Sequence, residues 1–125
     1  MKIDPDKIRF FYLRDAKKFP VACVATAVVT TPGGQYIAFS VSTHNPADTY
    51  DKQYGRLLAK SRLISQECMV VEADTGAKTR VVERIADNKY LPVRTRAAAS
   101  RWLLWKRLNR PTDSFLHRLL FHLSI

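Results

Sequence analysis

Between positions 94 and 110 the chain interleaves cations with large rings: Arg94, Arg96, Arg101, Lys106, Arg107 and Arg110 surround Trp102 and Trp105. Guanidinium and ammonium groups neutralise phosphates, and aromatic faces accept bases, so this mixture points to a polyanion, most simply DNA or RNA. Lys89 extends the patch. Read only as packing, Trp102, Leu104, Trp105 and Leu108 form the core face of a helix and leave the arginines in solvent. A second set, Lys52, Arg56 and Lys60, recurs at i, i+4 and i+8 on one side of an expected helix. Tyr50, Tyr54, Leu57, Leu58, Ser61 and Ile64 gather on the opposite side, which periodicity assigns to the core. The Lys52 stripe is then a secondary phosphate contact or a solvated face.

The charge balance supports the same class of partner. The chain of 125 residues carries a net charge of +10. Residues 1–88 hold 13 basic and 10 acidic side chains, whereas residues 89–125 hold 8 basic and 1 acidic. An excess concentrated in the last third attracts polyanions there; dispersed in solvent it serves only solubility. The length suits one domain (1–125), with a sheet and central helix in 1–88 and a basic helical part in 89–125. No apolar run is long enough for a membrane span, and the start, MKIDPDKIRF, has no apolar signal core. The expected location is therefore the cytoplasm. Cys23 and Cys68 lack a C-x-x-C spacing and make no metal case, and no cofactor is expected.

Three further motifs bear on chemistry. The basic stripe Lys52, Arg56, Lys60 after a three-stranded run resembles the basic helix start of double-stranded-RNA-binding domains, although those begin with a helix. Gly33-Gly34-Gln35 resembles the GGQ loop of peptide-chain release factors, whose glutamine assists hydrolysis of peptidyl-tRNA. That resemblance implies a hydrolase using Gln35; a tight hairpin turn explains the same glycines without catalysis. Asp74-Thr75-Gly76-Ala77 resembles the tetrapeptide of retroviral-type aspartic proteases, yet Gly76 is the last glycine of the chain, so the flap of those enzymes has no counterpart. His44, His117 and His122 form no constellation, and no serine or cysteine comes with a readable base.

The elements that must position these residues follow from periodicity and punctuation. Ile8–Leu13 reads as an edge strand flanked by arginines, and Val21–Thr30 as a central strand buried on both faces. Thr31–Gln35 is a hairpin turn, and Tyr36–Ser42 returns with Ile37, Phe39 and Val41 on one face. Pro46 ends that strand, and Asp48 or Thr49 caps the central helix, which runs to about Ser65. Cys68–Ala73 is a fourth strand. Thr79–Ala86 fits either a fifth strand or a helix. Thr95–Arg110 is a helix closed by Pro111, and a last short helix carries Phe115, Leu116, Leu119 and Leu123. The expected class is α+β: a small antiparallel sheet of about four or five strands, a central helix and two C-terminal helices.

The segment SVSTHNPADTYDKQYGRLLAKSRL resembles a strand-helix segment of small tailed-bacteriophage proteins. The matching residues are Asn45, Pro46, Asp48, Tyr50, Lys52, Gly55, Arg56, Ala59, Arg62 and Leu63. The resemblance implies a phage accessory protein made in the bacterial cytoplasm, of a kind that acts by binding. Two functions fit. One is a non-enzymatic nucleic-acid binder using the C-terminal basic helix, with Lys52, Arg56 and Lys60 as a second contact. The other is an inhibitor or adaptor whose basic face docks on a host protein complex.

Overall fold

The computed structural model describes residues 3–45, 49 and 51–109. Four strands, β1 (Arg9–Arg14), β2 (Pro20–Thr31), β3 (Gly34–Thr43) and β4 (Met69–Glu72), form one antiparallel sheet in the order β1-β2-β3-β4. Helix α1 (Lys52–Ile64) links β3 to β4, and α2 (Ala77–Asp87) and α3 (Val93–Asn109) follow. The architecture is α+β, with α1 on one face of the sheet and the α2–α3 pair on the other.

The long β2–β3 hairpin turns at Pro32-Gly33, where Thr31 pairs with Gly34 and Gly34 takes φ +132°. Positive φ is open to glycine without steric penalty, so Gly34 suits the end of a two-residue turn. Between β1 and β2 the register slips at Leu13/Arg14. The turn there is held by Asp15, whose Oδ1 accepts from the backbone N–H groups of Lys17 and Phe19 at 2.9 Å each.

The strands of the hairpin are buried on both faces. Toward α2 and α3 lie Leu13, Val24, Phe39, Val41 and Val71, packed on Val81, Val82, Ile85, Ala98 and Ala99. Toward α1 lie Cys23, Ala25, Ala27, Val29 and Ala38, packed on Ala59 and Leu63. Each cluster supplies part of the burial that drives folding.

Thr79–Ala86 is helical, inside α2. Val81, Val82 and Ile85 fall on one face at helical spacing, and β4 already closes the sheet edge beside β3. The cap of α1 also differs from expectation. Asp51 is the N-cap, its side chain accepting from the Tyr54 N–H at 3.1 Å, so the helix starts later than Asp48 or Thr49 would set it. Pro46, Asp48 and Tyr50 lie outside the described residues, as do Arg110 and the expected last helix with Phe115, Leu116, Leu119 and Leu123.

The largest departure concerns the faces of α1. The side chains buried on it are Ala59 and Leu63, whereas Tyr54, Leu57 and Ile64 are exposed. The sheet beneath presents small residues, Cys23, Ala25, Ala38, Ser40 and Ser42, so the helix approaches through its own small residues. The Ser40 Oγ donates to the carbonyl of Ala59, and the Ser42 Oγ donates to that of Gly55 at 2.8 Å. The Arg62 guanidinium donates to the carbonyl of Val41 at 2.7 Å. A seam of hydroxyl–carbonyl bonds between small residues outweighs the larger apolar side chains in choosing the face. At the far end, Gln66 takes φ +65° while the N–H groups of Gln66 and Glu67 return to the carbonyls of Leu63 and Arg62, a Schellman closure.

Candidate nucleic-acid interface

Edge strand β1 carries aromatic residues on both faces: Phe10 and Tyr12 toward α1, Phe11 toward α2 and α3. Cations from three elements, β1, α1 and α2, converge on these rings. On the α1 side, Lys52 Nζ lies 5.1 Å from the centre of the Tyr12 ring, and the guanidinium carbons of Arg56 and Arg14 lie 5.7 and 5.9 Å from it. Arg56 also lies 5.5 Å from the Phe10 ring and donates through Nε to the Tyr12 hydroxyl. Cations over ring faces are held by the ring quadrupole without losing their charge to a carboxylate. Burial pushes the Tyr12 phenol up, and the Arg56 hydrogen bond pulls against it.

On the other face, Lys78 Nζ sits 4.7 Å from the centre of the Phe11 ring and 5.5 Å from that of Trp102. Loss of surrounding water holds its ammonium below the ordinary lysine value, and the positive charge of Lys106 adds to the effect. The two ion pairs among the described residues lie elsewhere: Arg80 with Asp74, and Arg94 with Asp15 at 3.2 Å. The cluster around β1 thus holds Arg14, Lys52, Arg56 and Lys78, with Lys106 near Lys78, and no carboxylate among the described residues bridges them.

The structure separates the cations that the sequence grouped. Arg94 ties the first turn of α3 to the β1–β2 turn through Asp15, so its charge is already matched. Arg96 donates through Nε to the carbonyl of Leu91 at 3.1 Å, bracing the loop before α3. Arg101 and Arg107 are exposed, Lys106 is half-buried beside Lys78, and Arg110 lies outside the described residues. Lys52 and Arg56 do lie opposite Tyr54 and Leu57, but that turns them over the sheet edge instead of outward from the core. Lys60 is half-buried on the flank of the helix. Trp102 and Leu103 pack on the core, whereas Leu104, Trp105 and Leu108 are exposed, so the core face of α3 is narrower than the periodicity implied.

Tyr12, Arg14, Phe10, Phe11 and Lys78 escaped the sequence reading. Their signal was the aromatic run RFFYLR between two arginines on a strand already assigned to an edge; nothing local showed which helical cations would reach it.

The other motifs occupy turns. Gly33 lies in the β2–β3 turn, Gly34 opens β3, and Gln35 is an exposed residue of the β3 ladder opposite Thr30. Asp74 accepts the ion pair from Arg80, and its carbonyl accepts the Ala77 N–H at 3.1 Å, so the tetrapeptide shapes the entry to α2. A cleft of about 260 Å³ at the start of α1 is lined by Cys23, Ser42, His44, Asp51 and Tyr54. Burial pushes the Cys23 thiol up, away from a reactive thiolate. His117 and His122 lie outside the described residues. Among the described residues no group of three or more His, Cys, Asp or Glu side chains could hold a metal, and no helix is long and apolar enough to cross a membrane.

No protein family, curated protein or solved structure matches the chain. Within α1, Gly55, Ala59, Arg62 and Leu63 are the residues that seat the helix on the sheet.

Proposed function

We propose that this chain is a non-enzymatic accessory protein, of the phage type its α1 segment resembles, that binds nucleic acid along the β1 edge. The phosphate backbone tracks Arg14, Lys52 and Arg56 on one side and Lys78 and Lys106 on the other, with Arg101 and Arg107 extending the contact along α3. The observation that carries the reading is the convergence of four cations, Arg14, Lys52, Arg56 and Lys78, on the rings of Tyr12, Phe10, Phe11 and Trp102, with Lys106 near Lys78 and no carboxylate among the described residues paired with them. Such a group repels itself until a polyanion arrives, and the rings offer bases an apolar surface.

The test is fluorescence anisotropy with labelled double-stranded DNA, single-stranded DNA and double-stranded RNA. Lys52→Glu/Arg56→Glu and Arg101→Glu/Arg107→Glu are compared with the unaltered chain, with circular dichroism as the control for folding. Both pairs are expected to weaken binding, the first more strongly. Binding of the Lys52→Glu/Arg56→Glu variant at full affinity refutes the β1 edge as the interface.

A further inference from the structure

Two turns at one end of the molecule carry exposed rings beside lysines. The turn between β1 and β2 shows solvent Lys17, Lys18 and Phe19, whose ring is 62% exposed. The link between α2 and α3 (88–92) shows Lys89 and Tyr90, the latter 86% exposed. The pair of Asp15 with Arg94 fastens the first turn to the start of α3, which brings both turns to the same end. Hydrogen bonds tie each turn down. The Lys18 N–H donates to the Asp15 carbonyl at 2.9 Å, Arg14 donates to the Lys18 carbonyl at 3.0 Å, and the Tyr90 N–H donates to Asn88 Oδ1 at 3.0 Å. Lys18 takes φ +68°, a left-handed conformation in which glycine is the unstrained residue. A lysine there lowers stability, so backbone geometry does not account for it; what it adds is a charge next to Phe19.

We propose that this end takes the unpaired bases of a single strand, stacking them on Tyr90 and Phe19 while Lys17, Lys18 and Lys89 meet the adjoining phosphates. The proposal rests on the reading that the chain binds nucleic acid, and adds a second contact, apart from the β1 edge, that selects the form of the strand. A ring face stacks on any base, and an unpaired base has a free face to give where a base inside a duplex does not. Lys89 Nζ lies over one face of the Tyr90 ring, 5.5 Å from its centre, and the exposure of the ring leaves the other face open. Arg94 already takes the Asp15 carboxylate, and the one other carboxylate in residues 15–19 and 87–92 is Asp87, against three lysines. An anionic bilayer suits the site less well. Lys17 and Lys18 directly precede Phe19 and Lys89 sits on Tyr90, so neither ring enters hydrocarbon without drawing a charge toward it.

Anisotropy of the full chain with the labelled single strand and the duplex of one sequence tests this, with thermal melts as the control for folding. Tyr90→Ala and Phe19→Ala should each weaken single-strand binding by roughly 5- to 100-fold and leave duplex binding within about two-fold. Both rings are mostly exposed, so the melts should not move. Lys18→Gly should shift two readouts in opposite directions. The relieved backbone raises the melting temperature, while the lost phosphate contact makes the single-strand salt slope shallower by about 0.7. Single-strand affinity unmoved by both ring variants overturns the proposal and leaves the β1 edge intact. A single-strand loss in Tyr90→Ala supports it even where Lys52→Glu/Arg56→Glu binds duplex at full affinity and so refutes the edge. Capture of the chain by phosphatidylglycerol vesicles through Tyr90, with no binding of single strands, also overturns it.

Discussion

Neutralising Lys52 and Arg56 together should flatten the salt dependence of nucleic-acid binding by a calculable amount. Five cations make up the proposed contact: Arg14, Lys52, Arg56 and Lys78 over the β1 rings, and Lys106 near Lys78. If each neutralises one duplex phosphate, log affinity falls with log salt at a slope of about −4.5, so raising salt from 50 to 200 mM weakens binding roughly 500-fold. Lys52→Ala/Arg56→Ala leaves three contacts, a slope of about −2.7 and a loss of roughly 40-fold over the same range. The assay is anisotropy of a labelled 20-base-pair duplex at four or more salt concentrations. Arg56→Lys separates charge from geometry. It preserves the slope but loses the Nε donor that fixes the Tyr12 hydroxyl, so affinity drops by a similar factor at every salt. A double variant whose slope stays within about 0.3 of the unaltered chain refutes the argument, since the −0.9 carried by each contact would then be missing. So would an equal flattening from Arg94→Ala, whose charge Asp15 already balances.

Asp15 accepts two backbone N–H bonds and faces Arg94, and these hold its carboxyl below the ordinary value of 3.8, the Phe19 N–H contributing most. A folded-state pKa below the unfolded one contributes stability above about pH 4 and loses it as pH falls through the folded value. Thermal melts of the unaltered chain and Asp15→Asn should therefore differ most near pH 6 and converge toward pH 2; a gap that persists at pH 2 would refute the account. A Cβ on Gly55 would meet Ser42 Oγ at 3.6 Å and Cys23 Cβ at 3.7 Å, ordinary contacts, so Gly55→Ala should stabilise α1 by up to ~1 kcal/mol in urea unfolding. Gln66 occupies the left-handed position after α1, where glycine avoids a strain of ~1 kcal/mol, so Gln66→Gly should raise the urea midpoint without changing the slope m. Lys78, desolvated and beside Lys106, should be among the first lysines acylated by a limiting amine reagent near pH 8, read by peptide mass spectrometry, and Lys106→Ala should slow it.

Local rules made the strands legible. Val21–Thr30 declared a doubly covered strand because small and β-branched residues fill both alternating faces, and Thr31–Gln35 declared the hairpin because its glycines permit positive φ. The alternation of Ile37, Phe39 and Val41 likewise identified the face that meets α2 and α3. The helical nature of residues 79–86 was open, because TRVVERIA satisfies both periods over so short a run; the packing of Val81, Val82 and Ile85 on one sheet face settles it.

What the sequence by itself determined is therefore the α+β class, the hairpin and a basic, aromatic-bearing chemistry. Only tertiary structure decided how those side chains are placed and paired. Periodicity weighs large apolar side chains and gave the outer face of α1 to the core, but the sheet surface beneath is built of alanines and serines. Against it Gly55, Ala59 and Leu63 fit closely and two serine hydroxyls find helix carbonyls, so the helix seats on its small side. That rotation carries Lys52 and Arg56 over Tyr12, while Asp15 and the Leu91 carbonyl take up Arg94 and Arg96. A cation's sequence position shows its charge, but the residue that faces it across the fold decides whether that charge is free.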